Sequence, residues 1–284
     1  MKKQVKWKKS EIIILILLSA IGIAAVFNLI RILSEYMDGS AVYQSLQKYV
    51  FLPDDDTGYP AEPDGQGAGS NQRPEQNAVP ARDEAGAGES GYVYCGRPPK
   101  VDFESLKALN SDLTGWIYGP DTMINYPIVQ GKDNDYYLTH TFDGKENRCG
   151  SIFMDSLNNA DFTDTNNILH GHHMKNGSMF ACLSKYADQS YYDTHPVLWL
   201  VTPEKIFRVD VFTGFVTKAE GDVWQIEFSD KEDYGGWLDK MTANSLFESD
   251  IKPETDDKII TLATCSYEYE NARFVVMGIL REGR

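Results

Sequence analysis

Cys265 and Arg273 stand eight positions apart in the stretch TLATCSYEYENAR, the cysteine at the end of an apolar run. A thiol attacks only as thiolate, so a reactive cysteine needs a base or a cation brought to it by the fold. Arginine stays charged at any working pH, and its fork of donors can hold a carbonyl oxygen as it becomes an oxyanion. For this window alone, a buried core cysteine and a surface ion-pair arginine is the default. A base has to come from elsewhere. The chain has five histidines, and three of them, His170, His172 and His173, fall in LHGHHMKNGSMF. On an extended strand positions 170 and 172 share one face and 173 takes the other, while Gly171 permits close approach of a neighbour. One chemistry for this cluster is a general acid/base paired with the distant cysteine. Another is a metal site with His170 and His172 as ligands, but no third ligand and no HExxH helix accompanies them, so no metal is assigned.

Such groups need a rigid frame to bring them together. Val101, Phe103, Leu106 and Leu109 recur at helical spacing, which predicts a short amphipathic helix over 102–110. Beyond it the pattern changes to short β-rich runs broken by turn residues: WIYGPDTMINYPIV, GSIFMD, NNILHGHH, VLWLVT, KIFRVDVFTGFVT, DKIITLATC and RFVVMGIL. Many short strands at this spacing indicate a mainly β domain closed into an antiparallel or mixed barrel. Two helical insertions are expected in it, one over Ser178–Tyr186 and one over Asp230–Phe247, the second weakened by Gly235 and Gly236.

The N-terminus carries a different signal. MKKQVKWKK holds five lysines, and the uncharged run Ile12–Ile30 follows it. At 1.5 Å per residue that run makes a helix of about 30 Å, enough to cross a bilayer's hydrocarbon core. Its small residues Ala20, Ala24 and Ala25 lie inside the run rather than at its polar end, which favours an uncleaved anchor over a signal peptide. Lysines ahead of it orient the N-terminus to the cytoplasm and the body outward. The division expected is a basic tail at 1–11, a transmembrane signal-anchor at 12–30, a juxtamembrane segment at 31–52, a disordered linker at 53–92 and a catalytic domain at 93–284. The linker is Pro, Gly, Ala and polar residues with hardly an aliphatic one, and reads as a spacer holding the domain off the membrane. A net charge of -15 speaks against nucleic acid as partner, since a phosphate-binding face needs clustered Lys and Arg. Cys95, Cys149 and Cys182 match no disulfide-rich scaffold and are read as structural thiols.

The segments GWIYGPDTMINYPIVQGKDNDYYLTHTFDGKENRCGSIFMD, NILHGHHMKNGSMF and TLATCSYEYENARFVVMG, in that order behind an anchor, resemble the class B sortases. The resemblance covers Val101 to the C-terminus. It implies an eight-stranded sortase β-barrel with an N-terminal helix and a helical insertion before the cysteine strand. It implies further that Cys265 is the nucleophile, His172 the acid/base residue and Arg273 the active-site arginine, with Ala263 and Thr264 beside the substrate. Many class B members have Tyr where this chain has His170 and Ser where it has Ala263, so substrate preference is where this chain can differ. The implied reaction is a cysteine transpeptidation: a secreted protein with a C-terminal sorting signal is cut after threonine and passed to an amine of a peptidoglycan precursor. It needs no cofactor. Two other classes stand beside it, a metal-dependent hydrolase using the HGHH cluster and a non-catalytic wall-binding protein in which TLATC is only a core strand. Within the sortases, pilus assembly is the second reading, weakened by an end at ILREGR without a second hydrophobic helix.

Overall fold

The computed structural model describes residues 9–52, 96–266 and 271–283. The start of the basic tail, the expected linker, Cys95 and residues 267–270 lie outside the described residues.

In chain order the elements are α1 (Lys9–Leu46), β1 (Val50–Phe51), β2 (Lys100–Val101), α2 (Phe103–Leu109), β3 (Leu113–Tyr118), β4 (Asn125–Val129) and α3 (Tyr136–Thr139). There follow β5 (Ile152–Met154), β6 (Asn166–His170), a 3-10 segment at Ala181–Ala187, α4 (Gln189–Thr194), β7 (Val197–Val201), β8 (Ile206–Lys218), a 3-10 turn at Asp222–Trp224, α5 (Lys231–Ala243), β9 (Ile259–Cys265) and β10 (Ala272–Glu282). Eight strands, β3 to β10, close a barrel in the order β10-β8-β7-β3-β4-β5-β6-β9. The eight-stranded barrel is thus as expected, and the helical insertion before the cysteine strand is α5. Closure leaves no barrel edge unpaired.

Two pairings in it are parallel, β4 with β5 and β6 with β9. Parallel pairs are buried on both faces and read as continuous apolar runs, and six of the seven residues of IITLATC are buried. One apolar core fills the barrel around Trp116, Leu169, Leu262, Phe274 and Val276. A second lies outside it, where Trp237, Leu238 and Met241 of α5 cover Phe212, Phe215, Val275 and Met277. The caps follow the sequence: Asp102 accepts from Ser105 N–H at the start of α2, and Asp230 accepts from Asp233 N–H at the start of α5.

One expectation changes. The helix expected over Ser178–Tyr186 begins only at Ala181 and is a 3-10 segment, because Gly177 and Met179 take positive φ values of 84° and 58° and keep the chain out of a helical start. Residues 31–52 are those expected as a juxtamembrane segment. They continue α1 and β1, and Tyr43, Leu46 and Val50 are buried in the core shared with the barrel. β1 pairs with β2, Val50 opposite Val101 and Phe51 opposite Lys100, so both ends of the stretch 53–95 are fixed at one place on the folded body.

Candidate active site

The parallel pairing of β6 with β9 aligns their C-terminal ends, with His170 opposite Ala263. Gly171 extends the pairing by one hydrogen bond from its N–H to the Ala263 carbonyl, at 3.0 Å. A Cβ at Gly171 would lie 2.4 Å from Ile152 Cδ1 and 2.7 Å from Phe180 Cδ2, so only glycine lets the chain pass between them. His172 follows, at the rim where Cys265 ends β9. Arg273 opens β10 directly opposite Cys265 in the antiparallel pairing of β9 with β10. One parallel and one antiparallel neighbour of a single strand thus bring together three residues up to 101 positions apart in the chain.

The imidazole of His172 is fixed by its Nε2–H, which donates to the Leu138 carbonyl at 2.7 Å. The Cys265 thiol is the other partner of this ring. Pairing with the thiol raises the histidine above its ordinary value; burial opposes this, the Leu138 carbonyl adds to it and the Arg273 charge subtracts. The thiol moves the opposite way. His172 lowers it most, burial opposes and Arg273 lowers it further. Both shifts favour a thiolate beside an imidazolium. The other two described free thiols go the other way, for burial pushes Cys149 up to about 11 and raises Cys182 as well. Among the described cysteines only Cys265 is half-exposed, charge-paired and activated.

The Arg273 guanidinium is held by Nη1–H donating to the Ala272 carbonyl at 3.1 Å. It lines one cleft of about 340 Å³ together with Cys265, His172, Ala263 and Thr264. Thr264 Oγ1 is buried without a hydrogen-bond partner among the described residues. Two further hollows lie along α1, and neither contains a cysteine with a histidine beside it.

The remaining histidines depart from the strand picture, since β6 ends at His170 and the next two residues are no longer in it. His173 does not point away from the cysteine: its Nδ1–H donates to the Cys265 carbonyl at 3.1 Å. His170 bonds to Asp155 Oδ2 at 3.0 Å, and its ring lies between Phe153 and Trp224. Burial pushes the Asp155 carboxyl up, but the hydrogen bonds from His170, Leu157 N–H and Asn134 outweigh it and leave it below the usual range. His170 and His172 therefore use their Nε2 atoms on different partners and do not converge on a common point as metal ligands would.

Several groups at the site carry no signal that points to it. Leu138 contributes a backbone carbonyl, which no side chain announces. Asn134 and Asp155 line the cleft through a shared hydrogen bond of 2.8 Å. Trp224 lines the cleft with its indole N–H unpartnered among the described residues, and an aromatic residue in the polar stretch AEGDVWQ is the one cue that was readable.

Known proteins share this arrangement of fold and chain. The sortase domain family matches residues 117–281, more than half of the chain. Sortase B of Listeria monocytogenes is 38% identical over 205 residues, covering 72% of this chain and 81% of that protein. The solved Staphylococcus aureus sortase B–substrate complex is 35% identical with a TM-score of 0.61, covering 63% of this chain and 84% of that one. A mutant form of Clostridium perfringens sortase B with a cysteine replaced by serine is 36% identical with a TM-score of 0.60, over 63% of this chain and 86% of that one. The chain belongs to the sortase family, on the class B branch, and is a cysteine transpeptidase.

Proposed function

We propose that Cys265 is the nucleophile, His172 the acid/base residue and Arg273 the oxyanion donor of a membrane-anchored sortase acting on the sorting signals of secreted proteins. The single observation that carries this is the convergence of Cys265, Arg273 directly opposite it on β10, and His172 on one cleft, and the directions in which Cys265 and His172 shift one another agree with it. The Cys265 thiolate attacks the carbonyl carbon of a threonine in the sorting signal. Arg273 donates to the oxygen as it becomes negative. The His172 imidazolium passes its proton to the leaving nitrogen, the C–N bond breaks and a thioester remains on Cys265. An incoming amine, supplied by a peptidoglycan precursor, attacks the thioester and gives up its proton to His172. A new amide forms and the thiolate is released, so one peptide bond replaces another without an external energy source. Arg273 needs no basicity for this part. Ala263 and Thr264 border the substrate, the Thr264 hydroxyl offering the cleft a hydrogen bond it does not use internally.

Both the chemistry and α1, which is long and apolar enough to cross a membrane, support a place at the membrane. With the N-terminus in the cytoplasm and the barrel outside, the cleft meets both a secreted protein and a membrane-bound precursor. Incubating the folded chain from residue 31 onward with a library of threonine-containing sorting peptides, with and without an amine acceptor, identifies the cut bond and the acceptor by mass. Cleavage after threonine with transfer to the amine is expected. Cleavage that survives Cys265→Ala would overturn the assignment.

A further inference from the structure

The helix that carries the apolar run does not end where the run ends. α1 is one helix of 38 residues. Its first half exposes Leu17, Leu18, Ile21, Ile23 and Phe27. Its second half turns Gly39, Tyr43 and Leu46 inward at helical spacing, and all three are buried. The approach at Gly39 is close, since a Cβ there would lie 2.5 Å from Cys149 Sγ. Hydrogen bonds run the length of the contact. Asn147 Nδ2 donates to the Glu35 carbonyl at 2.9 Å, Tyr43 Oη donates to the Gly150 carbonyl at 2.5 Å, and Gln47 exchanges two bonds with Asn125 at 3.1 and 2.7 Å. β1 then pairs with β2, and Asp102 N–H donates to the Tyr49 carbonyl at 2.9 Å.

We infer that α1 itself is the tether: the transmembrane helix and the barrel form one rigid body that seats the catalytic barrel on the bilayer surface at a fixed height and bearing, and the stretch 53–95 does not connect anchor to enzyme. This rests on the membrane-anchoring reading above and replaces the spacer role expected of the linker. Glu35 stands five residues past Ile30, about 7.5 Å along the helix axis. The polar interfacial layer on each side of the hydrocarbon core is of the same order, roughly 5–8 Å. The loop around Asn147, bonded to the Glu35 carbonyl, is therefore presented to lipid headgroups, which fit its exposed cations Lys145 and Arg148 better than an apolar partner would. A cleft held this way meets a membrane-bound substrate at one depth, whereas a flexible spacer would sample many.

The test cuts the chain where a spacer would have to hold. A specific protease sequence is placed between residues 70 and 80 of the full-length protein, which is reconstituted into vesicles of phosphatidylethanolamine and phosphatidylglycerol, cut and floated on a density gradient. The expected result is that the barrel fragment floats with the vesicles in the same proportion as uncut protein, leaves them only in denaturant, and still cleaves soluble peptide. Gly39→Leu, which drives a side chain into Cys149, and the milder Tyr43→Phe should each raise the released fraction after cutting while uncut variants still float. A wild-type barrel fragment that leaves the vesicles on cutting, with α1 left behind, overturns the inference alone. Uncut protein that fails to float overturns the anchoring reading and this inference with it.

Discussion

At the level of single residues, the proposed nucleophile is set apart by its partners and not by its burial. A thiolate is favoured at Cys265 because His172 and Arg273 both stabilise negative charge there against the cost of burial. The sign is testable. Alkylation of Cys265 followed against pH should rise at a midpoint below the ordinary thiol value of about 8.5, and His172→Ala, which removes the largest cause of the lowering, should move that midpoint up. An unchanged midpoint in the variant would mean the pair does not interact in solution. Arg273→Lys keeps the charge but loses the planar fork, so peptide cleavage should fall about a hundred- to a thousand-fold while Cys265 still alkylates. Stopped cleavage and labelling assays on one preparation measure both. The residue types Cys, His and Arg made the meeting of these three side chains in one cleft legible in the sequence, aided by the resemblance that chose His172 from three candidates. The Leu138 carbonyl that orients His172 was not legible, because backbone groups are supplied by topology and leave no trace in residue type.

At the level of elements, the barrel was readable because its strands are short β-rich runs separated by turn residues. What could not be read was the conformation between strands. His173 faces the Cys265 carbonyl because β6 stops at His170, and strand alternation does not extend past the last paired residue. The wall carrying Trp224 depends on another such detail. Asn166, fully buried, donates to the Val223 and Gln225 carbonyls at 3.1 and 2.9 Å and accepts from Thr261 at 2.7 Å, so a barrel residue grips the turn from beneath. Asn166→Leu leaves those carbonyls and the Thr261 hydroxyl unpaired in a dry site, which should cost roughly 1–3 kcal/mol for each buried group left unsatisfied. Thermal unfolding should register the loss, and KM for a sorting peptide should rise more than kcat falls, since the cleft wall moves and the triad does not.

At the level of the whole molecule, neighbours in space are not neighbours along the chain. A polar, Pro- and Gly-rich stretch between an apolar run and a domain reads as a spacer, and two-residue strands such as β1 and β2 are too short to show a period. Yet Tyr43, Leu46 and Val50 lie before that stretch and pack in the core behind it. Removing residues up to 92 exposes the barrel surface that these three cover, at about 1.5–3 kcal/mol for each large apolar side chain. A fragment beginning at 93 should therefore unfold at a markedly lower temperature than one beginning at 31, with peptide cleavage at room temperature retained in the longer fragment. Equal melting temperatures by calorimetry would show that α1 adds nothing to the barrel.

The most direct test of the reaction is the intact mass of the protein from residue 31 onward during turnover of a threonine-containing sorting peptide. The account predicts a transient mass increase equal to the free-acid mass of the peptide's N-terminal fragment through threonine minus one water, located at Cys265 by digestion. It should be discharged by added amine and absent in Cys265→Ala. Turnover with no such adduct at any time, or an adduct on Cys149 or Cys182 instead, would contradict it.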